Sequence, residues 1–90
     1  MAENILKTIQ DIVLATDGVA GIAFPGVIPK PKRKALDFDV HINVEYNVNI
    51  PDTAWNIQEN IKHCKALSDV KTDRINIFVE GIDFKENEKE

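Results

Sequence analysis

The sequence predicts an α+β fold in two layers, ordered α-β-β-α-β, with two helices packed on one face of a small mixed sheet. Three observations carry this. Two segments place apolar residues three and four positions apart, one segment alternates apolar and polar residues without a break, and glycine or proline punctuates the boundaries. The first spacing lines one side of a helix, and strict alternation lines one face of a strand. Two such helices and a half-apolar sheet bury their apolar sides by stacking against each other.

From Asn4 to Thr16, Ile5, Ile9, Ile12 and Val13 form a stripe flanked by Leu6, with Lys7, Thr8, Gln10 and Asp11 on the other side. Asp17-Gly18 ends this helix, since glycine tolerates the left-handed backbone that a helix stop commonly needs. Val19 to Phe24 is short, apolar and partly β-branched, which predicts a first strand closed by Pro25-Gly26. The run Pro29-Lys30-Pro31-Lys32-Arg33-Lys34 is expected to be an irregular connection between two strands. Its prolines remove backbone donors and its like charges repel.

Leu36 to Tyr46 gives the strongest local signal. Leu36, Phe38, Val40, Ile42, Val44 and Tyr46 alternate with Asp37, Asp39, His41, Asn43 and Glu45, as a strand does with one face on a core and one in water. Asn47 to Pro51 turns the chain, with Asn49 as a helix cap and Pro51 suited to the first helical turn. Ala54, Ile57, Ile61, Cys64 and Leu67 mark one face of the second helix. Asp52 near its start and Lys62, His63 and Lys65 near its end suit the helix dipole. Ser68 to Asp73 is a polar connection, and Arg74 to Ile82 a third strand with Ile75, Ile77 and Val79 on one face. The helix between the second and third strands permits a parallel crossover.

The chain has 90 residues, enough for one modest core burying roughly 60–65% of its unfolded surface. It reads as a single domain over residues 1–84, followed by a charged, disordered tail at residues 85–90. A net charge of −4 argues against long-range attraction of the whole molecule to nucleic acid or anionic lipid, while leaving room for a local basic patch. The single cysteine, Cys64, allows no intramolecular disulfide and suits a reducing compartment. No leader pattern opens the sequence and no apolar run approaches the ~20 residues that span a bilayer. A cytoplasmic location is expected, extending to the inner face of the cytoplasmic membrane.

Candidate sites are few. Asp37, Asp39, His41 and Glu45 share one strand face at about 7 Å spacing, as metal ligands might, but the wet face of a sheet carries polar residues anyway. His63 and Cys64 are neighbours on a helix and point about 100° apart, which is wrong for a nucleophile and its base. No catalytic, metal or cofactor residue is therefore assigned. Partner binding is assigned to the basic run Lys30, Lys32, Arg33 and Lys34, to Trp55 at the edge of its helix stripe, and to Phe78, which projects from the polar sheet face.

Three stretches resemble the alkaline shock protein family, also described as general stress proteins, of Gram-positive bacteria. They are Asp17-Gly18-Val19-Ala20-Gly21-Ile22, the run from Val40 to Pro51 continued by Ile57 to Lys62, and Ile75 to Ile82 with its Val-Glu-Gly. Family members carry a longer segment between the first strand and the long one, where this chain has a short Pro/Lys connection. Asn47 stands where glycine is common. The resemblance implies a non-catalytic protein of cell-envelope stress or homeostasis, in some members held beneath the membrane by an anchored partner. The expected function is a protein-interaction module with a protein partner, a membrane-anchored one or a second copy of the chain, no nucleic acid and no direct membrane span. The competing reading is a nucleic-acid-binding domain of K-homology-like topology. The GXXG clamp and a row of aromatics that such a domain needs are absent.

Overall fold

In the computed structural model, residues 2–67 and 71–84 are described, and the chain folds in the order α1 (Ala2–Ala15), β1 (Val19–Pro31), β2 (Leu36–Glu45), α2 (Ile50–Lys62), a 3-10 turn (Lys65–Leu67) and β3 (Thr72–Asp83). The three strands form one sheet with β2 in the middle, antiparallel to β1 and parallel to β3. The sheet is mixed, as the sequence predicts. Residues 68–70 and the 85–90 tail lie outside the described residues.

The alternation of β2 sets the layer. Phe38, Val40, Ile42 and Val44 are buried on the helix side, where Ile9 and Val13 of α1 and Ile57 and Ile61 of α2 cover them. Each such side chain contributes about 1.5–3 kcal/mol on burial, and this cluster is the bulk of the core. Leu36 is only half-buried, sharing a small cavity with Ile5 and Leu6 at the start of α1, and Tyr46 at the other end of the strand is exposed. The helices are tied together by Thr16, whose Oγ1 donates to the Ile12 carbonyl (2.9 Å) and accepts from Asn60 Nδ2 (3.0 Å).

Within β1 two features differ from the sequence reading. Pro25-Gly26 does not close the first strand. It forms an irregularity in which the five steps from Ile22 to Val27 oppose the two from Ile42 to Val40, with Gly26 at φ +90°. Nor is Pro29-Lys30-Pro31 irregular: these residues pair with Phe38, Asp37 and Leu36. Edge strands tolerate proline because the missing N–H costs no ladder bond on the outer side. The expected charge repulsion is relieved by ion pairs from Lys30 to Asp39 and from Lys32 to Asp37. The true turn is short, closed by Lys32 N–H donating to the Ala35 carbonyl at 2.8 Å.

At the other end of β2, Asn47 takes φ +72°, a left-handed conformation that asparagine adopts more readily than most residues other than glycine. Asn49 caps α2, its Oδ1 accepting from the Asp52 N–H at 3.0 Å, and Pro51 occupies the first turn. The helix stops at Lys62, earlier than the apolar spacing suggests. Cys64 and Leu67 therefore sit beyond it, Leu67 still buried through the 3-10 turn.

Gly18 has φ +93°, and a Cβ there would lie 2.7 Å from Oγ1 of the buried Thr53; Gly26 has the same sign of φ, but a Cβ there would meet only Ile22 Cγ2, at an ordinary 3.8 Å. The left-handed backbone alone costs an alanine about 1–2 kcal/mol. Gly18→Ala is expected to lower the urea midpoint by more than Gly26→Ala. Equal midpoint shifts would show that the Thr53 contact has no weight.

Candidate interaction surface

The sheet face opposite the helices is polar and internally bonded. Asp37 Oδ1 accepts the Arg74 backbone N–H at 3.0 Å, and its other oxygen lies 3.4 Å from Lys32 Nζ. Asp39 is bonded to Asn76 Nδ2 (3.0 Å) and Lys30 Nζ (3.1 Å). His41 Nδ1 lies 2.7 Å from Glu80 Oε2. The four side chains that alternation brings to this face are thus each drawn to a different neighbour or, for Glu45, exposed. Among the described residues no group of three or more His, Cys, Asp or Glu side chains is placed to hold a metal ion. His63 turns to Glu59 (3.1 Å) while Cys64 packs against the core.

The basic run is divided by this geometry. Lys30 and Lys32 are drawn back along the sheet to Asp39, Asp37 and Asp73, the last at 2.9 Å, while Arg33 and Lys34 stay exposed on the turn. The hydrogen bond to Asp73 raises the Lys32 pKa above its ordinary value. The same bond holds the Asp73 carboxyl below the usual range, helped by Arg74 and Lys71 nearby. Asp39 is also lowered, first by its hydrogen bond to Asn76 and then by Lys30, against an opposing effect of burial.

Trp55 is 60% exposed on α2. Phe78 is 42% exposed and lies flat on His41, with ring centroids 4.8 Å apart and planes 15° apart. One turn after Trp55 on the same helix stripe, Gln58 Nε2 donates to the Ile75 carbonyl at 2.7 Å. That carbonyl faces away from β2, so by strand alternation the N–H and C=O of Ile77 and Val79 face outward too. They have no backbone partner among the described residues. Val79 and Ile82, on the helix side of β3, are exposed, and Phe84 beyond them packs on Tyr46. The outer edge of β3 is thus an open strand edge with Trp55 on one side and Phe78 on the other.

The sequence marks Phe24 only as the end of a short strand, yet it is the most exposed large apolar residue among those described, at 93%. Its signal was the Pro25-Gly26 pair that follows, which breaks the alternation and throws Phe24 outward. Sequence reading also misses Val79 and Ile82, whose alternation marks them as core-facing although no helix covers them.

Two amphipathic helices on one face of a β1-β2-β3 mixed sheet, with a bonded polar face opposite, define a small αββαβ domain. Residues 1–84 match the alkaline shock protein 23 family, of cell envelope-related function, and the chain belongs to that family. No curated protein matches the chain. Among solved structures it is similar to MamM CTD in a manganese form, with a TM-score of 0.68 and 10% identity over 90% of this chain and 99% of that one. A substituted MamM CTD aligns at a TM-score of 0.70 with 12% identity over 90% and 98% of the two chains. Another aligns at 0.72 with 11% identity over 92% and 83%. At such identities the likeness establishes a shared fold. No helix among the described residues is long and apolar enough to cross a membrane.

The lowered carboxyls make a pH prediction. A folded-state pKa below the unfolded one contributes stability above the unfolded value, and that contribution is lost as pH falls through the folded value. Stability is therefore expected to decline as pH drops below about 4, the ordinary aspartate range. Asp39→Asn is expected to flatten that decline in urea titrations at pH 2–5; an unchanged slope would remove Asp39 from the account.

Proposed function

We propose that this domain is a non-enzymatic interaction module of the cell envelope, acting at the inner face of the cytoplasmic membrane through a protein partner that is itself membrane-anchored. The observation that carries the reading is the open β3 edge. Unpaired N–H and C=O groups accept a further strand, and the flanking Trp55 and Phe78 supply the apolar anchors that interfaces favour. The family's cell envelope-related function supports the setting. The absence of any assigned catalytic group rests on residue chemistry: His41, His63 and the strand carboxylates are each held by another side chain or lie apart from a nucleophile.

The test is crosslinked capture of the tagged protein from its native cells, with membrane and soluble fractions analysed separately. One membrane protein is expected in the membrane fraction. Its recovery should fall roughly tenfold or more in the double variant Trp55→Ala, Phe78→Ala, since such anchors carry about 2 kcal/mol each. Undiminished recovery by a variant with an unchanged circular dichroism spectrum would remove the β3 edge as the docking site.

A further inference from the structure

The described cations are segregated along the molecule. The β1–β2 turn supplies Lys30, Lys32, Arg33 and Lys34 at the end where β2 begins. The parallel arrangement of β3 brings its start to the same end, with Lys71 bonded through its carbonyl to the Leu36 N–H and Arg74 through its N–H to Asp37. The crossover helix finishes there too: Lys62 lines one open depression with Asp73 and Arg74, and Lys65 follows. Asp73 also lines a second open depression, of about 670 Å³, with Lys32, Arg33 and Lys34. Both depressions therefore meet at Asp73 in one continuous surface. Lys7 on α1 is the described cation drawn from none of these segments, and it is paired with Asp11.

The opposite end is acidic. Asp17 follows α1, Glu45 ends β2 with its N–H on the Gly18 carbonyl, Asp52 lies in the first turn of α2, and Asp83 closes β3 against the Tyr46 N–H. The two ends are separated by the length of β2, ten residues or about 30 Å. The Debye length at physiological ionic strength is about 8 Å. A surface touching the basic end is thus screened from the acidic one, and the overall charge of −4 does not describe what that surface meets.

We infer that this basic pole is a docking surface for the anionic phospholipid headgroups of a membrane. At the pole, Asp37, Asp39 and Asp73 are already engaged by Lys30, Lys32 and local backbone or amide donors. Arg33, Lys34, Lys62 and Lys65 form no ion pair among the described residues, and Lys71 and Arg74 share the one Asp73 carboxylate that Lys32 already holds. They come from three separate chain segments and are spread across the blunt end of the two layers, which matches an extended plane of charge. The described side chains there include no aromatic, so single-stranded nucleic acid, which needs stacking platforms, fits less well. The inference stands independently of the β3-edge reading. Seated this way, the long axis rises from the membrane and β3 remains open along its side.

The test is cosedimentation of the full chain with vesicles of phosphatidylcholine containing about one-third phosphatidylglycerol, compared with pure phosphatidylcholine, at 50 and 300 mM salt. Binding to the mixed vesicles at 50 mM salt, weakened at 300 mM and absent on phosphatidylcholine, is expected. Arg33→Glu, Lys34→Glu should cut binding about tenfold or more, each basic residue near such a surface being worth about fivefold. Asp17→Asn, Asp52→Asn at the far pole should leave it within about twofold, given the screening length. Both pairs of substitutions are on exposed residues, and circular dichroism confirms their folding. No binding at 50 mM salt, equal binding to both vesicles, or tighter binding to a single-stranded oligonucleotide would overturn the inference. The Trp55→Ala, Phe78→Ala variant separates the two readings: it should bind vesicles as the parent does, whatever it does to protein capture.

Discussion

Strand β2 is hydrogen-bonded on both long sides, covered by two helices on one face and held by ion pairs and amide bonds on the other. Its alternating sequence therefore decides more than one strand. The apolar set fixes which face the helices pack on, so that Ile9, Val13, Ile57 and Ile61 all close on Phe38, Val40, Ile42 and Val44. The polar set draws its neighbours into register: Asp37 takes a backbone N–H of β3, and Asp39 links Lys30 of β1 with Asn76 of β3. Slipping the strand by one residue would reverse both sets at once, placing charge in the core and Phe38 in water. Core and polar face thus specify the same register from opposite sides.

That dependence explains why so much of the fold is legible in the sequence. Period-two alternation from Leu36 to Glu45 and the stripe through Ile5, Ile9 and Val13 are local statements, and each is met by its own element. Asn49 and Asp52 likewise announce the start of α2 through a bond made within one turn. What was not legible depends on position in the sheet. Pro29 and Pro31 look like strand breakers unless β1 is known to be an edge, and four neighbouring cations look repulsive unless Asp37, Asp39 and Asp73 are known to lie beside them. The end of α2 was overestimated because Cys64 and Leu67 keep the helical spacing while the chain has already entered a tighter turn.

The interaction surface was legible in part. Trp55 and Phe78 could be picked out as apolar residues on otherwise polar stripes, and both are exposed. The basic run could be picked out as a departure from an acidic average, yet its four members do not act alike. Two are spent on the sheet, whereas Lys62, Lys71 and Arg74, distant in sequence, join the two that remain. Only the parallel crossover brings these segments to one end, and nothing local in the sequence announces that. The same holds for Val79 and Ile82, whose exposure follows from helices shorter than the strand they face.

The two margins of the sheet are unequal. On β1 the prolines at 25, 29 and 31 withhold donors, and the five-against-two irregularity bends the margin out of line with any straight neighbour. On β3 the Gln58 side chain occupies the outward carbonyl of Ile75. A sheet able to lengthen from one margin alone has a valence of one. Any strand added to this sheet would have to pair with β3, and the β1 margin would stay a bare rim whatever docks opposite it.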